Sequence, residues 1–357
     1  MKKPVIGISM GDPSGIGPEI CVKAAFDRGV LEKCNPVVVG NASIIRKAMR
    51  VLDVDKQVNV INKIDEANFS GEAINVVDLK IRDDKVIEYG QITAEAGSLA
   101  FHAVKKVIEM AMDGEIDATV TAPIHKESIN LAGHNYAGHT EIYAEFTNTP
   151  KVAMLLVDGD FRIIHVSTHV ALRKACDLVK KDRILHVISL MNDACIKFGI
   201  VNPKIAVCGL NPHASDGGLF GHEEQEEIIP AIKEAFSNGI NAEGPYAADT
   251  IMSKVVGGFY DGCVAMYHDQ GHIPFKVKGF VWDREKNDWG KIHGVNITLG
   301  IPIIRVSVDH GTAFDIAGKG IASCDSMIHA IEYAIRMSAN KNESDTTGVA
   351  STDKGRK

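Results

Sequence analysis

The chain of 357 residues predicts an α/β fold built on a mixed, largely parallel sheet. Short β-branched runs alternate with longer amphipathic segments, which is how strands and the helices that cover them read in sequence. One pair of runs is separated only by the turn Asp158-Gly-Asp160, so a hairpin interrupts the parallel pattern. The length suits either one large domain or two.

The strands follow in order. Val5-Ile-Gly-Ile-Ser9, Pro36-Val-Val-Val39 and Ala118-Thr-Val-Thr121 come first. Val152 to Val157 and Phe161 to Thr168 form the hairpin, and Lys204-Ile-Ala-Val-Cys208 and Gly262-Cys-Val-Ala265 close the series. Helices are expected over Thr93 to Met112, Asp182 to Phe198, Glu223 to Phe236 and Ser326 to Met337. In the first of these, Ala96, Leu99, Ala100, Ala103, Val104, Val107 and Ile108 recur at helical spacing and mark a buried face. The tail over 339–357 is polar and aperiodic, which predicts disorder.

Composition excludes several classes of function. The formal charge of -7 includes no long basic stripe, which argues against nucleic acid as a partner. No apolar run is long enough to span a bilayer, and the N-terminus does not read as a signal peptide, so neither membrane insertion nor secretion is expected. Seven cysteines, an odd number without a C-x-x-C pair, read as reduced thiols in a cytoplasmic protein.

Chemistry gathers where apolar runs end in histidine. Ile163-Ile-His-Val-Ser-Thr-His169, Ile205-Ala-Val-Cys-Gly-Leu-Asn-Pro-His213 and Met266-Tyr-His-Asp-Gln-Gly-His272 each place imidazoles beyond a strand, the edge at which α/β proteins bind ligands. Three such sites point to a metal. Gly11-Asp-Pro-Ser-Gly-Ile-Gly-Pro-Glu19 opens a helix with Pro18 at its start. It matches neither dinucleotide nor triphosphate fingerprints, and it reads equally as an anion loop or a tight structural turn. At Gly133-His-Asn-Tyr-Ala-Gly-His-Thr-Glu141, Thr140 reads as a helix cap, with anion binding by His139 and Thr140 the alternative. Lys276, Asn296 and Arg305 flank strands or turns; each alone reads as a surface group, and together they could hold the two charges of a phosphorylated acid.

Taken together, these segments resemble the 4-hydroxythreonine-4-phosphate dehydrogenase (PdxA) family from Gly11 to about Met337. The resemblance rests on the Gly11 loop, Gly138-His-Thr-Glu141, Ser167-Thr-His169, Asn211-Pro-His-Ala214, Ala248-Asp-Thr250, Met266-Tyr-His-Asp-Gln-Gly271, Gly294-Val-Asn-Ile-Thr298 and Val308-Asp-His-Gly-Thr-Ala313. It implies a two-domain fold like that of isocitrate and isopropylmalate dehydrogenases. An NAD-associated domain would comprise 1–125 with 310–338, and a metal, substrate and dimerisation domain would comprise 126–309. The metal ligands would be His169, His213 and His268, with His213 and His268 reaching a metal shared across the interface of a homodimer and Asp249 close by. The substrate contacts would be His139, Thr140, Lys276, Asn296 and Arg305. NAD would meet Asp309, His310, Gly311, Thr312, Ala313 and Asp315. Asp249 and Lys276 are the candidate proton-transfer groups. His125, His165, His186, His222 and His329 are expected to serve packing.

Within the family, His-Val-Ser-Thr-His-Val-Ala-Leu-Arg173, Asp-Gly-Gly-Leu-Phe-Gly221 and above all His272 resemble a catabolic branch acting on D-threonate or D-erythronate 4-phosphate. That branch implies oxidation with decarboxylation to a dihydroxyacetone-phosphate-type product. The alternative is the pyridoxal phosphate biosynthetic reaction on 4-hydroxythreonine 4-phosphate. A three-imidazole site suits zinc, with manganese, cobalt or magnesium as other occupants. A metal-dependent hydrolase and a non-catalytic sugar-acid phosphate sensor are the readings from other classes. The segment Val281 to His293, with Trp282 and Trp289, is expected to be a surface loop.

Overall fold

The structure is a computed structural model that describes residues 3–81, 87–279, 282–284, 288–289 and 294–347. The first half runs β1 (Val5–Ser9), α1 (Gly17–Ala25), α2 (Arg28–Lys33), β2 (Asn35–Gly40), α3 (Ala42–Val51), β3 (Gln57–Ile61), β4 (Ala73–Asp78), α4 (Ala94–Met112) and β5 (Ala118–Thr121). Next come α5 (Lys126–Leu131), α6 (His139–Phe146), β6 (Ala153–Asp158), β7 (Phe161–His165), α7 (Leu172–Asp177), α8 (Lys181–Lys197) and β8 (Ile205–Cys208). The remainder comprises α9 (Ile229–Ser237), β9 (Ala242–Tyr246), α10 (Ala248–Val256), β10 (Gly262–Ala265), α11 (His268–Gly279), the ribbon β11 (Trp282–Asp283) and β12 (Asp288–Trp289), β13 (Val295–Leu299), β14 (Arg305–Val308) and α12 (Asp325–Thr347).

Twelve strands form one sheet in the order β3-β4-β2-β1-β5-β14-β13-β6-β7-β10-β8-β9. The pairs β13–β14, β6–β13 and β6–β7 are antiparallel and the others parallel. The expected mixed, largely parallel sheet is therefore present, with its antiparallel strands in the middle. Helices cover both faces. On α4, Ala96, Leu99, Ala100, Ala103, Val104, Val107 and Ile108 are all buried, and Thr93 caps the helix by accepting from the Ala96 N–H at 3.2 Å.

The central strands carry polar residues where a buried sheet is normally aliphatic on both faces. Register places Thr119 and Thr121 of β5 beside Arg305 and Ser307 of β14, which in turn lie opposite Thr298 and Asn296 of β13. Strand alternation turns these six residues to one face, while Ala118, Val120, Val306, Val308, Ile297 and Leu299 enter the main core on the other. A polar stripe thus crosses the middle of the sheet.

Several local expectations are corrected. His268 does not end a strand: β10 stops at Ala265, and His268 is the first residue of α11. The helix expected over Glu223 to Phe236 begins as a π-helical turn, Glu224–Ile228. Thr140 is not a cap, because α6 starts one residue earlier with Gly138 in the cap position and no side chain bonding there. The backbone of α12 stays helical to Thr347, into the stretch expected to be disordered, and the run contains neither Gly nor Pro to stop it. Residues 348–357 lie outside the described residues, as does much of 281–293, whose described part pairs Trp282 with Trp289.

Candidate active site

The polar stripe forms one half of the site. The Arg305 side chain is buried, with 3% of the residue exposed. Its Nη1 donates to Thr298 Oγ1 at 2.9 Å and its Nη2 to Thr121 Oγ1 at 3.0 Å, while Nε has no partner. Over the stripe lies α6, which brings His139 and Tyr143 down onto it. The Tyr143 hydroxyl donates to Thr119 Oγ1 at 2.9 Å, and the Arg305 guanidinium sits 5.5 Å from the Tyr143 ring. Burial, with the Arg305 charge beside it, pushes His139 well below the usual histidine range, so the ring is neutral. Burial also pulls Arg305 down to about 10, leaving it charged at neutral pH.

Three polar atoms here are buried without a hydrogen-bond partner: His139 Nε2, Asn296 Oδ1 and Arg305 Nε. Buried groups of this kind are normally satisfied, so together they outline a place for a polar ligand. Sequence reading named all three residues. Lys276, on α11, reaches Asp309 at the end of β14, and the two side chains pair. The Asp309 carboxylate is therefore engaged by a lysine expected to contact substrate. Thr140 is half-buried on α6, with no hydrogen bond to the other four.

Of the other loop residues expected to contact NAD, Thr312 packs against the Gly11 loop. Ile16 N–H donates to the Thr312 carbonyl at 3.0 Å, and the Phe314 ring stacks on His125 at 4.9 Å. Glu19 is fully buried, and its carboxylate accepts from the Gly318 and Gly320 N–H groups at 2.6 and 2.9 Å, which fixes one loop on the other. Gly311 and Asp315 remain exposed. Space around Gly311 is open to a Cβ, so backbone strain is not its reason for being glycine.

Histidines form the other half of the site. Each residue of the motif that opens α11 has a separate task. His268 Nδ1 donates to Asp269 Oδ1 at 2.7 Å, which leaves Nε2 as a lone pair. The Gln270 side chain accepts from Met266 N–H at 2.7 Å and donates to the Gly209 carbonyl at 2.8 Å, tying the end of β10 to the end of β8. Gly271 leaves room for His165, since a Cβ there would overlap His165 Nε2. His272 stacks on His268 with ring centroids 3.6 Å apart and planes 9° from parallel.

His169 and His268 face one another with centroids 5.7 Å apart. Two imidazoles sharing a tetrahedral ion stand about 5 Å apart by the usual metal–nitrogen distances, so this pair fits a divalent metal. His213 belongs to the next cavity, of about 670 Å³, which Asp249, Asp269 and Tyr267 also line. The His169 and His268 cavity, of about 370 Å³, shares Tyr267 and Asp269 with it. Among the described residues of the single chain, no three His, Cys, Asp or Glu side chains converge on one metal position. The expected triad is thus present as a pair and a separate third histidine. His213 projects from a turn in which His213, Ala214, Ser215 and Asp216 all take positive φ, between 48° and 69°. Such a run is costly for residues with a Cβ and persists only where the surroundings enforce it. Here buried Glu224 accepts from the Leu210 and Asn211 N–H groups at 2.8 and 2.7 Å, and Ser215 Oγ donates to the Gly221 carbonyl.

With fold and site in view, comparison with known proteins is decisive about the family. The model of the pyridoxal phosphate biosynthetic protein PdxA family matches residues 32–334. The chain belongs to the PdxA family. It is 46% identical over 343 residues to a protein of Oceanobacillus iheyensis named as a candidate D-threonate 4-phosphate dehydrogenase, covering 95% of this chain and 99% of that one. A crystal structure of 4-hydroxythreonine-4-phosphate dehydrogenase from Klebsiella pneumoniae superposes with a TM-score of 0.81 at 40% identity, covering 94% of this chain and all of the other (100%). A terephthalate 1,2-cis-dihydrodiol dehydrogenase from Burkholderia xenovorans superposes with a TM-score of 0.66 at 28% identity, over 94% and 98% of the two chains. The three names share a dehydrogenase reaction and differ in substrate.

One residue that sequence reading assigned to packing lies inside the site. His165 is buried against His272, with ring centroids 4.7 Å apart. The available signal was Gly271: a glycine in the first turns of a helix, preceding a histidine, marks a close approach from outside that helix.

Proposed function

We propose that this PdxA-family oxidoreductase acts on a CH–OH group as a metal-dependent, NAD-linked dehydrogenase. Its substrate would be a 4-phosphorylated four-carbon hydroxy acid, D-threonate or D-erythronate 4-phosphate, oxidised and decarboxylated to a dihydroxyacetone-phosphate-type product. The observation that carries this reading is the cluster of unpartnered polar atoms on the stripe, His139 Nε2, Asn296 Oδ1 and Arg305 Nε, gathered around one buried cation. Among the described residues no carboxylate forms an ion pair with this buried guanidinium, which suits an anionic group of substrate. The printed name of the Oceanobacillus relative supports a threonate over an amino acid.

In this reading Arg305, His139 and Asn296 bind and orient the anionic end of the substrate, with Thr140 at its edge. Lys276 Nζ, held by Asp309, and the exposed Asp249 carboxylate are the groups that move protons. His169 and His268 would hold the metal, with His213 completing the set. A divalent ion, zinc by this donor set, would supply Lewis acidity for hydroxyl deprotonation and for decarboxylation. The exposed edge of the loop from Asp309 to Asp315 would hold NAD, which would supply the hydride acceptor. Exposed Ile273 and Val277 line the His213 cavity and exposed Phe220 lies edge-on to His213 at 6.4 Å, which supports a homodimer that brings His213 of one protomer to the pair on the other. Seven free cysteines fit a cytoplasmic setting.

The test is NAD reduction followed at 340 nm with D-threonate, D-erythronate and 4-hydroxythreonine 4-phosphates side by side, before and after metal removal. Preference for the amino acid would move the assignment to the biosynthetic reaction, which the Klebsiella structure's name favours. Full activity of metal-stripped His213→Ala protein would remove the metal from the reading.

A further inference from the structure

Four imidazoles lie together at the ends of β7 and β10, and the proposed metal chemistry uses only His169 and His268. Hydrogen bonds fix the tautomers of the three that are packed in line. His165 Nδ1 faces the Met154 carbonyl at 3.3 Å, and His272 Nδ1 faces the His268 carbonyl at 3.1 Å. His268 Nδ1 faces the Asp269 carboxylate at 2.7 Å. A carbonyl or carboxylate oxygen can only accept, so each Nδ1 carries a proton, and in the neutral ring Nε2 is then the lone pair. The rings then succeed one another: His165 lies 4.7 Å from His272, and His272 lies parallel to His268 at 3.6 Å.

His268 requires such support. Its side chain is 38% exposed, and its bonded partner Asp269 is 70% exposed, so the hydrogen bond between them does little to fix the ring in water. Across the cavity, His169 is exposed as well. What holds the His268 ring plane is the face of His272, and what stops His272 from retreating is His165, buried in the sheet behind it. The absence of a side chain at Gly271 allows that buried ring to come close.

We infer that His272, backed by His165, is a positioning residue: an imidazole shelf that holds the plane of the His268 ring for the metal, while Asp269 keeps the proton on Nδ1. The inference rests on the proposed assignment of His169 and His268 to the metal. Neither His272 nor His165 is itself a ligand in it.

The experiment measures zinc dissociation constants by competition with a chromophoric chelator for the wild type, His268→Ala, His272→Ala and His272→Phe, with folding checked by circular dichroism. The shelf predicts that His272→Ala binds zinc about 10- to 100-fold more weakly, the usual effect of losing a group that orients a ligand. His272→Phe, which restores a flat ring against His268, is expected to recover most of that loss. Long-range proton–nitrogen correlation on the metal-free wild type should show His165, His268 and His272 all protonated at Nδ1, a readout that needs no metal. Unchanged affinity in His272→Ala alongside loss in His268→Ala, or protonation of His272 at Nε2, overturns the shelf while leaving the metal assignment standing. Absence of zinc binding by the wild type overturns the metal assignment, and the shelf's purpose with it.

Discussion

Arg305→Met is expected to leave stability nearly unchanged while removing most of the function. Arg305 is 3% exposed and, among the described residues, no carboxylate forms an ion pair with it; its two bonded partners are the hydroxyls of Thr121 and Thr298. Burying an ion costs several kcal/mol after relaxation, and replacing buried ions by apolar groups of similar volume commonly gains about 1–4 kcal/mol. Methionine fills most of the space and leaves two threonine hydroxyls to find other partners, at about 1 kcal/mol each. The net expectation lies between a loss of about 1 and a gain of about 2 kcal/mol. With an unfolding entropy of about 2 cal/mol/K per residue over this length, that moves Tm by no more than about 3 °C. Function changes far more. Removing a charge that meets a substrate anion costs about 2–5 kcal/mol of binding, so kcat/KM should fall on the order of 10²- to 10³-fold. Calorimetry with and without phosphate separates the two effects, because phosphate should raise the Tm of the wild type and leave that of Arg305→Met unmoved. A lower Tm together with intact phosphate stabilisation would falsify the view that Arg305 is an unpaired cation kept for an anion.

Three further outcomes are expected. Gly271→Ala forces a methyl onto His165 Nε2 and should cost about 1–3 kcal/mol, with much of that recovered by adding His165→Ala; equal stability of single and double variants in urea would refute the steric reason for this glycine. Glu19→Gln turns an acceptor of two N–H groups into one that can satisfy a single donor, and should cost about 1–3 kcal/mol and raise the KM for NAD with less effect on kcat; an unchanged KM would separate Glu19 from the cofactor loop. His165 is held down to about 3 by burial, so the unfolded chain binds a proton that the folded one refuses between that value and the ordinary histidine range. Stability of the metal-free protein should therefore fall with decreasing pH below about 6.5, and His165→Phe should reduce that slope by about 1.4 kcal/mol per pH unit.

Much of this fold was legible because period and composition agreed. β1, β5 and β10 have the expected ends, and the turn at Gly159 joins an antiparallel pair. Strands missing from the sequence reading include β9, whose Ala-Glu-Gly-Pro-Tyr carries Gly and Pro, residues that strands usually exclude. The strand β13 escaped for a different reason. Asn296 and Thr298 interrupt its aliphatic pattern because one face of it lies in the site, so the residues that make it functional also conceal it.

The same logic separates the two halves of the site. His139, Asn296 and Arg305 could be named together only through resemblance, since they lie on α6, β13 and β14 and meet because β14 inserts between β5 and β13. The imidazoles are nearly local: His268, Gly271 and His272 come from one turn, and His165 and His169 from the end of β7. Yet local spacing assigned His165 to packing. Its Nδ1 bonds within the sheet and its Nε2 approaches a glycine, so packing is what it does, but the thing it packs is the site. Lys276 joins the halves, since α11 presents His268 and His272 at its start and Lys276 one turn later, where it pairs with Asp309 at the head of the proposed cofactor loop. One helix therefore fixes the relative positions of the proposed metal ligand His268, the proposed proton-transfer group Lys276 and the proposed cofactor loop. A change in the shelf beneath His268 should then alter metal affinity without releasing Lys276 from Asp309, whereas Asp309→Asn should disturb Lys276 and leave zinc affinity intact. Loss of zinc affinity in Asp309→Asn would show that α11 does not hold its two ends independently.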